Sequence, residues 1–222
     1  AAHIALAGIN AQRETFKDED AIRVHPIITR GGDLVNVVPA DVRLETFVRG
    51  KTNEAIMDAN IKVDRALRAG AMAIGATVEI NTLPGYMPLR DDREMQKLFM
   101  QNAHELFGAE ECTQAGHRTG STDMGDISHI MPAVHPSMSG ASGISHGNDF
   151  LISDKEMAYL APAKALALLA VDLLFGHAEK AKEIVAQHKP IMTKEEYLAY
   201  QNQIFQKEIF DGETGTSETA GV

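Results

Sequence analysis

Asp41-Val42-Arg43-Leu44-Glu45-Thr46-Phe47-Val48-Arg49 alternates without a slip. Val42, Leu44, Thr46 and Val48 share one face, and Arg43, Glu45, Phe47 and Arg49 share the other. A period of two over nine residues is the pattern of a half-buried strand. Immediately after it the period changes. Ile56, Val63, Leu67, Ala71 and Ile74 fall on one stripe of a helix running to about Gly75, with Thr52 or Asn53 placed to cap it.

Upstream, residues 2–14 read as a short helix and Ala21–Thr29 as a strand built on Ile22, Val24 and Ile28, closed by a Gly31-Gly32-Asp33 turn. Downstream, Thr77–Leu83 reads as another strand. Residues 1–85 therefore predict an α-β-β-α-β order, a two-layer α+β sandwich.

Pro84-Gly85-Tyr86-Met87-Pro88 has the composition of a linker, and the domain boundary is placed there. Beyond it the sequence predicts a helix over 91–107, a strand near 112–117 and a polar glycine loop. A strand around Ile130–Met138 and helices at 154–176, 178–188 and 193–210 follow. This alternation fits part of an α/β domain over 86–210 with a mixed sheet. Residues 211–222, rich in Gly, Thr, Ser and Glu, are expected to be a disordered tail.

The 222 residues carry 21 Lys and Arg against 31 Asp and Glu, a net charge of −10, with no basic block. Nucleic acid and anionic membrane are therefore poor candidates for the main partner. No apolar run reaches the ~18 residues a membrane span needs, and the first residues lack the basic region of a secretory leader. A single cysteine, Cys112, excludes an internal disulfide and suits a reducing compartment, so a cytoplasmic location is expected.

Chemistry-bearing residues concentrate in Gly120-Ser121-Thr122-Asp123-Met124-Gly125-Asp126-Ile127-Ser128-His129, then His135-Pro136 and Ser145-His146-Gly147-Asn148. Glycine lets backbone approach a ligand closely, and imidazole with carboxylate suits zinc or manganese. His146, flanked by small residues, is the leading metal-ligand candidate. Asp123 and Asp126 serve equally well as turn caps, and His129, His135 and His117 as core or supporting histidines. Arg49 offers a fork for a carboxylate, with a cross-strand ion pair as the plainer role. Asn36 sits where an amide often closes a turn. The sequence has no phosphate loop, nucleophile elbow or His-Glu-x-x-His helix.

Gly31-Gly32-Asp33-Leu34-Val35-Asn36-Val37-Val38-Pro39-Ala40, with Leu44 through Arg49, resembles the lid (dimerisation) domain of the di-zinc aminoacylase and glutamate carboxypeptidase family. The glycine loop with its downstream His-Pro resembles the amidohydrolase branch, which includes aminobenzoyl-glutamate hydrolases and β-alanyl-lysine dipeptidases. The likeness covers about residues 1–176. It implies a lid domain over 1–85 lacking its first strand, and the C-terminal part of a catalytic domain over 86–210.

By this resemblance His146 matches a histidine that ligates one of two divalent metals, zinc or manganese. Asn36 and Arg49 match lid residues that reach into the partner subunit's site, where they hold the scissile carbonyl oxygen and the substrate's free carboxylate. Asp123, His129 and His135 take supporting roles behind the ligands. The family's first metal pair and its paired glutamates, one of them the general base, precede the region matched here.

The expectation is thus the C-terminal part of a metal-dependent amidohydrolase, inactive alone, acting in the whole enzyme on N-acyl amino acids or dipeptides. A homodimer through the lid, or a companion N-terminal half, would complete it. The alternatives are a non-catalytic dimerisation or binding module, or one half of a split enzyme.

Overall fold

The computed structural model describes residues 1–118 and 120–221, and the chain divides into two compact units. The first comprises residues 1–88, 117–123 and 194–222; the second comprises 89–116 and 124–193. Both mix helices with small antiparallel sheets, an α+β architecture.

The first unit is built on two helices, α1 (Ala2–Gln12) and α2 (Asn53–Met72). Thr52 caps α2, its hydroxyl accepting the Ala55 N–H at 3.2 Å. The helices approach closely because the contact is made of small residues. A Cβ added at Gly8 would lie 3.1 Å from the Ala66 Cβ, and one at Gly70 would lie 2.8 Å from the Ala5 Cβ. Ile9, Val24, Ala59, Val63 and Ala66 form the buried core, with Phe16, Val48 and Leu67 packed against it.

The long strands read from alternation are broken in two. Ala21–Thr29 becomes β1 (Arg23–Val24) and β2 (Ile27–Arg30), separated at His25-Pro26, where proline removes a ladder donor. Asp41–Arg49 becomes β3 (Arg43–Glu45) and β4 (Val48–Arg49). The pieces pair separately: β1 with β4, placing Arg23 opposite Arg49, and β2 with β3. Asp41 closes the intervening loop by pairing with Arg43 at 2.9 Å and Arg30 at 3.1 Å. The Arg43 guanidinium beside Asp41 holds its carboxyl below the usual range.

The disordered tail expected for 211–222 is not observed over 211–221, and Val222 lies outside the described residues. After α6 (Lys194–Ile204), β8 (Gln206–Asp211) and β9 (Thr216–Gly221) form a hairpin that adds to β5 (Thr77–Thr82) in the order β5-β8-β9. Its turn is held by Asp211, whose carboxylate accepts the N–H groups of Glu213 (2.8 Å) and Thr214 (3.1 Å). Gly215 supplies the left-handed residue, at φ +72°. Phe210 and Ile80 are buried, and Arg68 of α2 reaches Glu208 of β8 at 2.6 Å. The first unit therefore joins β5 to a hairpin more than 120 residues further on, and the helix expected over 193–210 stops at Ile204.

In the second unit Asp92 caps α3 (Arg93–Phe107), accepting the Glu94 and Met95 N–H groups at 3.0 Å each. Its other oxygen lies 2.9 Å from His188 Nδ1. Burial pushes this carboxyl up, but the Met95 N–H, the His188 imidazole and the Glu94 N–H together hold it below its ordinary value. Phe99 and Ala103 of α3 pack on Ala165 and Leu169 of α5 (Ala161–Gln187), and Asn102 donates to Asp172 at 2.8 Å.

The helices expected at 154–176 and 178–188 are one element with a break over Phe175–Ala178, where Gly176 and Ala178 take positive φ. By length and composition Glu156–Gln187 is apolar enough to cross a membrane, although no such run was expected. Leu166, Leu174 and Phe175 on it are exposed.

The strands expected at 112–117 and Ile130–Met138 do not form among the described residues. Pro132 and Pro136 deny the second segment the N–H groups a ladder needs. Instead of the expected mixed sheet, the unit contains one antiparallel pair of two-residue strands, β6 (Ala141–Ser142) and β7 (Leu151–Ile152).

Candidate functional site

The glycine stretch is less of a loop than its composition suggests. Met124–Ile130 forms a short helix, α4, with Gly125, Asp126, Ser128 and His129 buried. Ser128 donates to the Gly125 carbonyl at 2.6 Å and accepts the Arg90 N–H at 3.0 Å. His129 Nδ1 lies 2.8 Å from the same carbonyl. A carbonyl only accepts, so Nδ1 carries the proton and the ring orientation is fixed. The His129 carbonyl in turn receives the N–H groups of Ile191 (2.9 Å) and Met192 (3.2 Å).

His146 stands in the loop joining β6 and β7, exposed, with φ +66°. Left-handed backbone costs a non-glycine residue roughly 1–2 kcal/mol, so its surroundings must impose it. The Gly147 N–H donates to the Ile144 carbonyl at 2.7 Å, and the Ile144 N–H reaches the Asp149 carboxylate at 3.3 Å. At Gly143, with φ +88°, a Cβ would fall 2.3 Å from the Asp149 carbonyl oxygen, so only glycine fits. The loop is tightly determined and presents an imidazole to solvent. His135 is also exposed, and its backbone N–H donates to Asp91 at 3.1 Å.

Four sequence candidates, Asn36, Arg49, His117 and Asp123, lie in the first unit. Asn36 is exposed in a turn closed by the Val37 N–H on the Leu34 carbonyl at 3.3 Å. Asp123 is exposed and accepts the Thr122 hydroxyl at 3.0 Å. Arg49, half-buried on β4, has its guanidinium carbon 5.3 Å from the centre of the Phe47 ring. Among the described residues it makes no cross-strand ion pair, and its partner on β1 is Arg23.

Arg49 lines a small cleft of about 20 Å³ with Val48, Gly50, Ile56, Tyr86, Pro88, His117, Arg118, Gly120 and Ser121. Asn36 and Asp123 do not line it. The sequence reading singled out Arg49 but passed over Arg118 and Tyr86. The position of Arg118 beside the glycine run was the available signal.

A larger hollow of about 280 Å³ in the second unit, bounded by Leu106, Phe107, Asp154, Glu156, Met157, Ala161 and Lys164, holds none of the sequence candidates. Among the described residues no three or more His, Cys, Asp or Glu side chains form a group that could hold a metal ion. The residues present do not by themselves fit the two-metal centre implied by the resemblance. His146 is at most a contributor to one.

The chain is 30% identical over 184 residues to the Xaa-Arg dipeptidase of Homo sapiens, which covers 79% of this chain and 42% of that protein. The Xaa-Arg dipeptidase of Mus musculus is 28% identical over 187 residues, covering 80% and 43%. An uncharacterised hydrolase, y4tI, of Sinorhizobium fredii is 26% identical over 188 residues, covering 80% and 46%. No protein-family profile matches. The relationship is thus to hydrolases, two of them dipeptidases. The chain spans less than half the length of the curated relatives it matches.

Proposed function

We propose that this chain is the C-terminal part of a metal-dependent amidohydrolase that cleaves dipeptides or N-acyl amino acids ending in a free carboxylate. The similarity to two Xaa-Arg dipeptidases over about four-fifths of the chain carries this reading. Three structural observations support it. Arg49 lines a cleft without a carboxylate partner among the described residues, His146 is held in a strained, exposed conformation, and Leu166, Leu174 and Phe175 of α5 lie open.

The roles follow from the side chains. The Arg49 guanidinium, steadied by the Phe47 ring, offers two parallel N–H donors to the substrate's terminal carboxylate. The Asn36 amide can donate to the scissile carbonyl oxygen, where charge develops during attack on an amide. His146 would supply one imidazole nitrogen to a zinc or manganese ion whose remaining ligands would come from polypeptide beyond this chain. That polypeptide would also cover Leu166, Leu174 and Phe175. A homodimer through the lid-like first unit, whose loop exposes Leu34, Val35 and Val38, and a cytoplasmic location belong to the same proposal.

In the natural gene product, His146→Ala is expected to lower hydrolysis of such substrates by about 10–100-fold or more, the scale seen when a metal site loses even a supporting group. Assays against a panel of dipeptides and N-acyl amino acids test this. Undiminished turnover by the variant would sink the assignment of His146.

A further inference from the structure

We propose that the hollow in the second unit, between the end of α3 and the start of α5, is a binding site for a free amino acid with an apolar side chain. Its volume of about 280 Å³ lies just below the roughly 300–1,000 Å³ of pockets for drug-sized ligands, so it suits a molecule of single-residue size. Leu106 and Phe107 of α3, with Met157 and Ala161, give it an apolar wall. Asp154, Glu156 and Lys164 place two anions and one cation on the same hollow. None of these residues shares in the roles assigned above to His146, Asn36 and Arg49.

The charges on the hollow are left open. Among the described residues no ion pair engages Glu156 or Lys164. They stand on one continuous helical run, about 12 Å apart along its axis and beyond the i, i+4 spacing at which helical charges meet directly. A zwitterion spans such a gap, its ammonium facing Glu156 and Asp154 and its carboxylate facing Lys164. A plain cation would meet Lys164 as a like charge, and a plain anion would meet two carboxylates.

The wall that carries the carboxylates is held in place before any ligand arrives. One Asp154 oxygen accepts the N–H groups of Glu156 (3.0 Å) and Met157 (3.1 Å), and its other oxygen has no partner among the described residues. The Gly140 carbonyl receives the Ser153 and Asp154 N–H groups at 3.0 Å each. A Cβ at Gly140, with φ +114°, would fall 2.7 Å from the Ala158 nitrogen, so the two segments pack backbone against backbone. Glu156–Leu160 winds as a π-helix, a rare turn that recurs at functional sites. A wall fixed this firmly loses little further freedom on binding.

The test is calorimetric titration of the 222-residue chain with L-leucine and three analogues. These are 4-methylpentanoate, which lacks the ammonium, 3-methylbutylamine, which lacks the carboxylate, and glycine, which lacks the side chain. The titrations are repeated on Lys164→Gln and Glu156→Gln, both at exposed positions, with circular dichroism to check that each variant keeps its fold. Leucine should bind about 5-fold more tightly than any of the three, the scale of one exposed charge contact. Lys164→Gln should weaken leucine about 5-fold and leave the amine unchanged, whereas Glu156→Gln should weaken leucine and the amine alike.

No binding of leucine, binding of any analogue as tight as that of leucine, or a leucine affinity unchanged in either variant would overturn the proposal. Because the readout is binding in the second unit, its failure is separate from a failure of hydrolysis, which would count against the catalytic reading instead.

Discussion

Gly70→Val should destabilise the first unit by about 3 kcal/mol, the upper range for forcing atoms into a well-packed contact. Gly70 lies inside α2, where glycine is a poor choice by propensity; alanine there would ordinarily gain about 1 kcal/mol. The tertiary contact reverses that preference. A Cβ at this position would sit 2.7 Å from the Ala1 carbonyl oxygen and 2.8 Å from both the Ala5 backbone nitrogen and Cβ. Backbone atoms cannot swing aside as a flexible side chain can, so α1 must lift off α2 and uncover Ile9, which is fully buried. Urea unfolding of the variant beside Gly85→Ala, where an added Cβ meets nothing within 4 Å, measures the effect. Comparable midpoints for the two variants would contradict the close helix packing.

The second large effect depends on pH. Asp64 is half-buried on α2, and burial pushes its carboxyl up to about 6, partly offset by Arg68 and reinforced by Glu208. The folded state therefore holds this proton more tightly than the unfolded chain does. Asp64 contributes stability fully below pH ~4, and that contribution is lost as pH rises through about 6. A displacement of about two units corresponds to roughly 3 kcal/mol at most. Asp64→Asn, which keeps an oxygen for the Asn60 amide now 3.0 Å away, should be about 2 kcal/mol more stable than the parent at pH 8. The advantage should shrink between pH 6 and 4 and vanish below. Thermal or urea unfolding across that range decides it, and a pH-independent difference would show that Asp64 titrates normally.

These two sites illustrate what the sequence makes legible. The α2 stripe, the Thr52 cap and the β5 segment could be read directly, because helix and strand periods and a capping hydroxyl are local signals. The alternation of Asp41–Arg49 correctly marked extended chain, but period alone could not show that β3 and β4 pair with different partners. The C-terminal hairpin was missed because a polar strand exposed on one face resembles a tail in composition. The Asp211-Gly212 and Gly215 turn residues and the Ile209/Phe210 pair were the evidence against disorder.

The missing strand over Ile130–Met138 has a plain cause in Pro132 and Pro136, two prolines inside one short segment. Of the candidate site, Arg49 and His146 were visible as chemistry in an unusual setting. Arg118 was not, because only the fold brings residues 48–56, 86–88 and 117–121 around one cleft.

The central claim is that this chain supplies only part of a hydrolase's machinery. It is tested most directly by measuring dipeptide and N-acyl amino acid hydrolysis for the isolated 222-residue chain and for the natural gene product, with the intact mass of the latter recorded. The expected result is a natural product of mass well above the 24.1 kDa of this chain, active on such substrates, beside an isolated chain without turnover. Hydrolysis by the isolated chain at the rate of the natural product would contradict the claim, and so would an inactive natural product.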